Sequence, residues 1–210
     1  MIPGKINQKM IIMNIKKIKI WDAKWVCKIY NLKFPKFILV FIQIFTHLCS
    51  NIIWLPVFGI VYLFFFQESV ILQFLIFCMI VDIFIELPSK FFFKRRRPFA
   101  SPHVTKCEIK KRDLMGTKFN SSFPSGHAML AMEYLFSFSV FIAYPINIIF
   151  GIISSAVAIF VGFSRVYLGV HFPTDIFTGF FMGLLVAVGS YLTFPFIIHI
   201  YSFISSILPF

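Results

Sequence analysis

Apolar and polar positions in this 210-residue chain fall into long blocks rather than short alternations. Five stretches are almost wholly apolar, at residues 37–66, 70–88, 128–144, 146–168 and 176–198. A helix rises about 1.5 Å per residue and bilayer hydrocarbon is about 30 Å thick, so stretches of this length read as membrane crossings. The first is interrupted by His47, Ser50, Asn51 and Pro56, and reads as one kinked crossing or as a short interfacial piece followed by a crossing. Before it, Trp21, Trp25, Val26, Ile29 and Leu32 recur at helical spacing among Lys24, Lys28 and Lys33, as in a helix lying in the interface. The expected fold is all-α: a polytopic membrane helical bundle of about five transmembrane helices plus an N-terminal interfacial helix. Residues 1–36 form a basic N-terminal segment and residues 37–210 the transmembrane domain.

Composition agrees, since a chain that is 59% hydrophobic and only 13% charged is too apolar for a soluble domain of this length. The net charge of +12 raises the question of nucleic acid, but the basic residues do not line a soluble face with interleaved stacking aromatics, so no nucleic-acid partner is expected. Nine Lys or Arg precede Phe37, ten lie from Lys90 to Lys118, and Arg165 ends the fourth apolar stretch, which accounts for all 20. With five crossings every one of them falls on one side, and the positive-inside rule makes that side cytosolic. The expectation is an integral protein of the endoplasmic reticulum or another endomembrane. Cys27, Cys49, Cys78 and Cys107 show neither metal-ligand spacing nor a secreted-domain framework and read as plain thiols. The short apolar patch at 10–15, ringed by lysines, is weaker than a signal-peptide core, which leaves targeting to the first membrane helix.

Three polar clusters interrupt this pattern, each at an expected helix end on the same side. Lys90 to Pro98 closes the second apolar stretch, Phe123-Pro124-Ser125-Gly126-His127 opens the third, and Ser164 to Asp175 joins the fourth to the fifth. Lys90, Arg97 and Arg165 supply cations that neutralise a phosphoryl group, the arginines through paired hydrogen bonds, so that no metal or other cofactor is needed. Ser125 and Gly126 form a small step at a helix start, where free N–H groups and the helix dipole favour an anion. His171 and Asp175 are four apart, so the carboxylate can hold one ring nitrogen protonated and leave the other as a nucleophile. His127 stands at the other helix start as a candidate general acid and base.

These clusters resemble the three motifs of the type 2 phosphatidic acid phosphatase (PAP2) superfamily, K-x6-RP, PSGH and SR-x5-H-x3-D, over roughly residues 82–183. The resemblance implies that Lys90, Arg97, Ser125, Gly126 and Arg165 bind phosphate, that His127 is the acid, His171 the nucleophile and Asp175 its partner. The arginines before Pro98 and the segment from Gly162 to Gly169 look most similar to the small polyisoprenoid diphosphate/phosphatidate phosphatase branch. That similarity implies metal-independent hydrolysis of an isoprenoid diphosphate or phosphatidate-type lipid, with the bilayer and a membrane lipid phosphate as partners and the oligomeric state open. The alternatives are a phosphatase or phosphotransferase for a different ester and a non-catalytic lipid-binding protein retaining the fold. A vanadate-dependent peroxidase shares this kind of anion site, but such enzymes are soluble and larger.

Blander readings apply elsewhere. Lys94, Arg95 and Arg96 read as juxtamembrane anchors for anionic lipid. Asp82, Glu86 and Lys90 share one helix stripe, so the acids can pair with the amine. Glu133, inside an apolar stretch where an unpaired charge is costly, is expected to face the bundle or to be protonated. His47 and His199 read as interfacial, and the phenylalanines of 64–66 and 91–93 as lipid contacts.

Overall fold

In the computed structural model, the described residues 3–65, 69–113 and 121–207 form seven α-helices. They are α1 (Pro3–Tyr30), α2 (Lys36–Leu48), α3 (Asn51–Phe64), α4 (Val70–Phe93), α5 (Gly126–Phe141), α6 (Ile146–Tyr167) and α7 (Pro173–Ile207). Two short 3-10 segments, Pro98–Ala100 and Pro102–Cys107, lie between α4 and α5. Among the described residues there is no strand, only an isolated antiparallel bridge between Arg96 and Ser121. Lys118, counted in the charge tally, and the turn residues 67–68 lie outside the described residues.

Among the described residues, three helices of at least 18 residues are apolar enough to cross a membrane: α4, α6 and, in α7, Pro173–Ile200. A fourth crossing results if α2 and α3, bent by 50° at the break between them, act as one broken span. The break falls at Cys49 and Ser50, while Pro56 sits inside α3. The expected third crossing is shorter than its apolar stretch suggested, because α5 stops at Phe141, where Ile142 turns extended. Its 16 residues span about 24 Å. α5 is the inner helix of the bundle, packed against α4, α6 and α7, with Ala128, Met129, Leu130, Ala131, Glu133 and Ser137 buried.

The approach of α5 to α7 depends on small residues. A side chain at Gly183 would strike the Met129 carbonyl oxygen at 2.3 Å, and one at Gly179 would meet the Ser125 carbonyl oxygen at 2.6 Å. Four residues apart, the two glycines form a small-xxx-small face, the means by which helices approach in lipid, where no hydrophobic gain separates protein from tail. Inside the bundle Asp82 and Glu133 are both buried beside one another, while Phe84, Ile159, Phe181, Leu192 and Phe196 face outward as the lipid surface.

α1 departs from a simple interfacial helix. Trp21 and Trp25 remain exposed, but Asp22, Val26 and Tyr30, on one stripe, are buried against α6, α7 and the second 3-10 segment. The reading of four plain thiols is corrected in the same region: Cys27 and Cys107 form a disulfide across a Cα separation of 5.7 Å, and only Cys49 and Cys78 are free. The pairing escaped sequence reasoning because the two cysteines stand 80 residues apart.

Candidate active site

α4 ends where Lys94 takes up a left-handed conformation at φ 40°, which turns the chain back over the bundle. The returning segment pairs with the approach to α5: Ser122 N donates to Arg95 O at 2.8 Å and Ser122 Oγ to Arg96 O at 3.4 Å. At the opposite wall, α6 runs into a tight turn in which Val170 N and His171 N both donate to Arg165 O, and Gly169 takes a φ of 73°. α7 then begins on Pro173, with Asp175 in its first turn accepting from Phe172 N at 2.8 Å, a carboxylate satisfying an otherwise unpaired helix-start N–H. Ser125 N donates to Asp175 O at 3.2 Å, tying the start of α5 to the start of α7. Main-chain hydrogen bonds thereby join the three polar clusters, and every residue expected in the site lies at this end of the bundle.

His171 is buried, and both ring nitrogens face polar groups. Nδ1 lies 2.6 Å from Ser122 O and 3.8 Å from Asp175 Oδ2, so the main-chain carbonyl, and not the carboxylate alone, holds the Nδ1 proton. His171 precedes the helix, and Asp175, four residues on, both lies near Nδ1 and caps the turn through Phe172 N. Nε2 faces Arg97 Nη1 at 3.4 Å, and the same guanidinium donates to Val170 O at 3.0 Å. Burial, then Arg97, Arg165 and Lys90, hold His171 well below the ordinary imidazole range, so Nε2 carries a free lone pair. Burial and the neighbouring Arg165 lower Arg97 itself to about 10, which leaves it a cation at neutral pH.

Each of the other two cations meets a carboxylate of the chain. Lys90 pairs with Glu86, as their shared stripe predicted, and Glu86 lies against Gly126 so closely that a Cβ there would collide with it. Arg165 is buried, with Nη2 3.4 Å from Asp113 Oδ2 and Nη1 3.5 Å from Thr46 Oγ1. Ser125 Oγ, His127 Nε2 and Arg165 Nε are buried without a hydrogen-bond partner among the described residues. Donors and acceptors left unmet beside three cations form a cradle for a polar anion.

Several residues at the site were not singled out from sequence. Ser122 acts through its carbonyl oxygen, which no side-chain motif can reveal. Asp113 lies between Arg165 and His47, whose Nε2 is 2.7 Å away, so His47 stands beside the site and not in the interface. Arg95, read as a lipid anchor, binds Asp175 at 2.6 Å and also Asp22 of α1. A cavity of about 870 Å³ opens beside Arg95 and Phe172, with Ile15, Ile18, Phe93 and Phe123 supplying apolar wall and Lys19 and Arg96 supplying charge.

The family model of the PAP2 superfamily matches residues 71–198. Phosphatidylglycerophosphatase B of Bacillus subtilis (strain 168) is 43% identical over 72 residues, which cover 31% of this chain and 35% of that protein, so the match spans about a third of the relative's length. The crystal structure of the first transmembrane PAP2 type phosphatidylglycerolphosphate phosphatase from Bacillus subtilis superposes with a TM-score of 0.65, at 26% identity over 85% of each chain. Aquifex aeolicus LpxE gives a TM-score of 0.62 at 24% identity, over 80% of this chain and 93% of that one, and shares the fold.

Proposed function

The chain belongs to the PAP2 superfamily, and from that premise we propose that this integral membrane protein is a lipid phosphatase that works without a metal through a phosphohistidine on His171. The observation that carries the reading is the orientation of that ring, with Nδ1 at the Ser122 carbonyl oxygen and Nε2 toward Arg97. His127 takes up a proton as the phosphate's negative charge enters beside it; Nε2 of His171 then attacks phosphorus, the bond from phosphorus to the lipid oxygen breaks, and the departing oxygen takes that proton from His127. His127 then takes a proton from water as the water oxygen attacks phosphorus. The phosphorus–nitrogen bond breaks, phosphate leaves and His171 is restored. Lys90, Arg97 and Arg165, with the Ser125 hydroxyl and the N–H of Gly126, hold the charge that gathers on the phosphoryl oxygens, and Glu86 and Asp113 give up their cations to it.

The cavity beside Arg95 and Phe172, where Lys19 and Arg96 stand next to apolar wall, fits the approach of a lipid whose headgroup is anionic and whose tail stays in the bilayer. Isoprenoid diphosphates and phosphatidate-type lipids fit that description, and the Bacillus subtilis relative's name adds phosphatidylglycerophosphate. Phosphate release by the detergent-purified protein from these three lipids, with a chelator present, tests the reading. Release that persists with chelator, vanishes in His171→Ala and passes through an acid-labile phosphoprotein supports it. No release from any of them by folded protein overturns it.

Sidedness is part of the same reading. Loop charge favours the cytosol, but Lys90, Arg97 and Arg165 are recruited by phosphate, and the disulfide between Cys27 and Cys107 belongs to the chemistry of an oxidising compartment. We therefore infer that the site faces away from the cytosol, which for an endomembrane is the lumen. In protein lacking its native cysteines, single cysteines at Ser69 and Ser101 label from opposite sides. Labelling of the Ser101 position from the cytosol would reverse the assignment.

A further inference from the structure

Asp22, in the N-terminal helix, has a side chain only 1% exposed and lies 152 residues from its partner on α7. Its Oδ1 accepts from Thr174 N at 3.1 Å, and its Oδ2 accepts from Thr174 Oγ1 at 2.6 Å and from Arg95 Nη2 at 2.5 Å. The other arm of that guanidinium, Nη1, donates to Asp175 Oδ1 at 2.6 Å and to Thr174 Oγ1 at 2.7 Å. The guanidinium also sits 4.4 Å from the centre of the Phe172 ring. Asp175, held at Oδ1 by Arg95 and at Oδ2 by Phe172 N, has no freedom to rotate away from His171, whose Nδ1 is 3.8 Å from Oδ2.

We propose that Asp22 and Arg95 are positioning residues for the phosphoryl-transfer site, a buried relay through which α1 sets the carboxylate of Asp175 and the turn carrying His171. Neither residue touches the reacting atoms. A juxtamembrane anchor has no need of a bidentate arginine clasped between two buried carboxylates, because lipid attraction requires an exposed cation. Asp22 also satisfies a main-chain N–H at the start of α7, so one carboxylate fixes both the helix end and the arginine. The disulfide between Cys27 and Cys107 holds α1 in place five residues beyond Asp22. α1 is thereby a working wall of the site and not an appended tether.

The inference rests on the proposed phosphatase reading, so its test has one arm that needs no turnover. In Asp22→Asn, which keeps size and loses charge, kcat falls by about tenfold with KM within about twofold, as expected for a group that orients the nucleophile. Arg95→Gln falls similarly, Arg95→Lys recovers part of the loss, and the double variant Asp22→Asn with Arg95→Gln is no worse than the poorer single one, because both act through the same carboxylate. In parallel, orthovanadate, whose five-coordinate form needs the same Nε2 geometry, binds wild type at least about fivefold more tightly than Asp22→Asn. Unchanged kcat and unchanged vanadate affinity in Asp22→Asn overturn the relay, as do losses that multiply in the double variant. Wild type that releases no phosphate yet shows the vanadate difference sinks the substrate reading and keeps the relay.

Discussion

Two helices begin side by side at the active end of the bundle, and their first turns are finished in opposite ways. The start of α7 is closed: Phe172 N binds Asp175 Oδ2, Thr174 N binds Asp22 Oδ1, and Arg95 covers both carboxylates. The start of α5 is open: Ser125 makes no side-chain cap, its Oγ has no hydrogen-bond partner among the described residues, and the carboxylate beside Gly126 belongs to Glu86, itself held by Lys90. The difference separates two tasks. A helix start whose N–H groups are all answered is rigid and can carry a nucleophile, whereas one with groups unanswered can receive an anion.

The largest way to break the contrast is to fill the open start. In Gly126→Val the new side chain meets the Glu86 carboxylate and the phosphate position together, and phosphate release should fall by about 100-fold or more in protein that still binds detergent as a monodisperse species. Turnover surviving at near wild-type rate would show that α5 does not hold the phosphate. Ser125→Ala removes one donor, so kcat should drop about tenfold while the melting temperature stays where it was, since no hydrogen bond among the described residues is lost. A fall in stability of comparable size would mean that the hydroxyl is structural.

The pH profile sharpens the same comparison. His171 reacts only when unprotonated, and burial followed by Arg97, Arg165, Lys90 and His127 lowers its pKa well below 6.5. Protonation therefore sets in only at lower pH, and the acid limb of kcat/KM should lie clearly below 6.5. Arg97→Gln removes the nearest cation and should move that limb upward in whatever activity remains. A limb at or above 6.5 in wild type would show the ring to be solvated. The smallest expected effect is at the closed start: Thr174→Val loses the hydroxyl between Asp22 and Arg95, costing about 1 kcal/mol of stability by thermal unfolding and less than about tenfold in kcat.

Much of this is legible in the sequence. The cations at Lys90, Arg97 and Arg165 and the pair of histidines stood out because polar residues are costly in an apolar chain and survive there for a reason. The pairing of Glu86 with Lys90 followed from four-residue spacing. Arg95 was misread because its neighbours Lys94 and Arg96 have the same composition, and only the left-handed turn at Lys94 distinguishes the direction each one takes. His47 was misread for a similar reason, since a lone histidine in an apolar stretch gives no hint of Asp113, which lies in a different segment. The end of α5 is not legible, because Ile142 and Ala143 are as apolar as the helix that stops at Phe141.

By itself, the sequence determined the class of the molecule, the family motifs and the residue types that meet a phosphate, because each depends on local spacing and on composition. Only the tertiary structure decided which acceptor orients His171, that Asp113 answers Arg165, that Cys27 joins Cys107, and that α1 reaches the site through Asp22. Those pairings join groups separated by 49 to 152 residues, as in the contacts of Ser122 with His171 and of Asp22 with Thr174. Hydrogen bonds of about 3 Å tolerate little displacement, so the relative placement of whole helices, set by contacts such as Gly179 and Gly183 against α5, selects among partners that the sequence leaves equivalent.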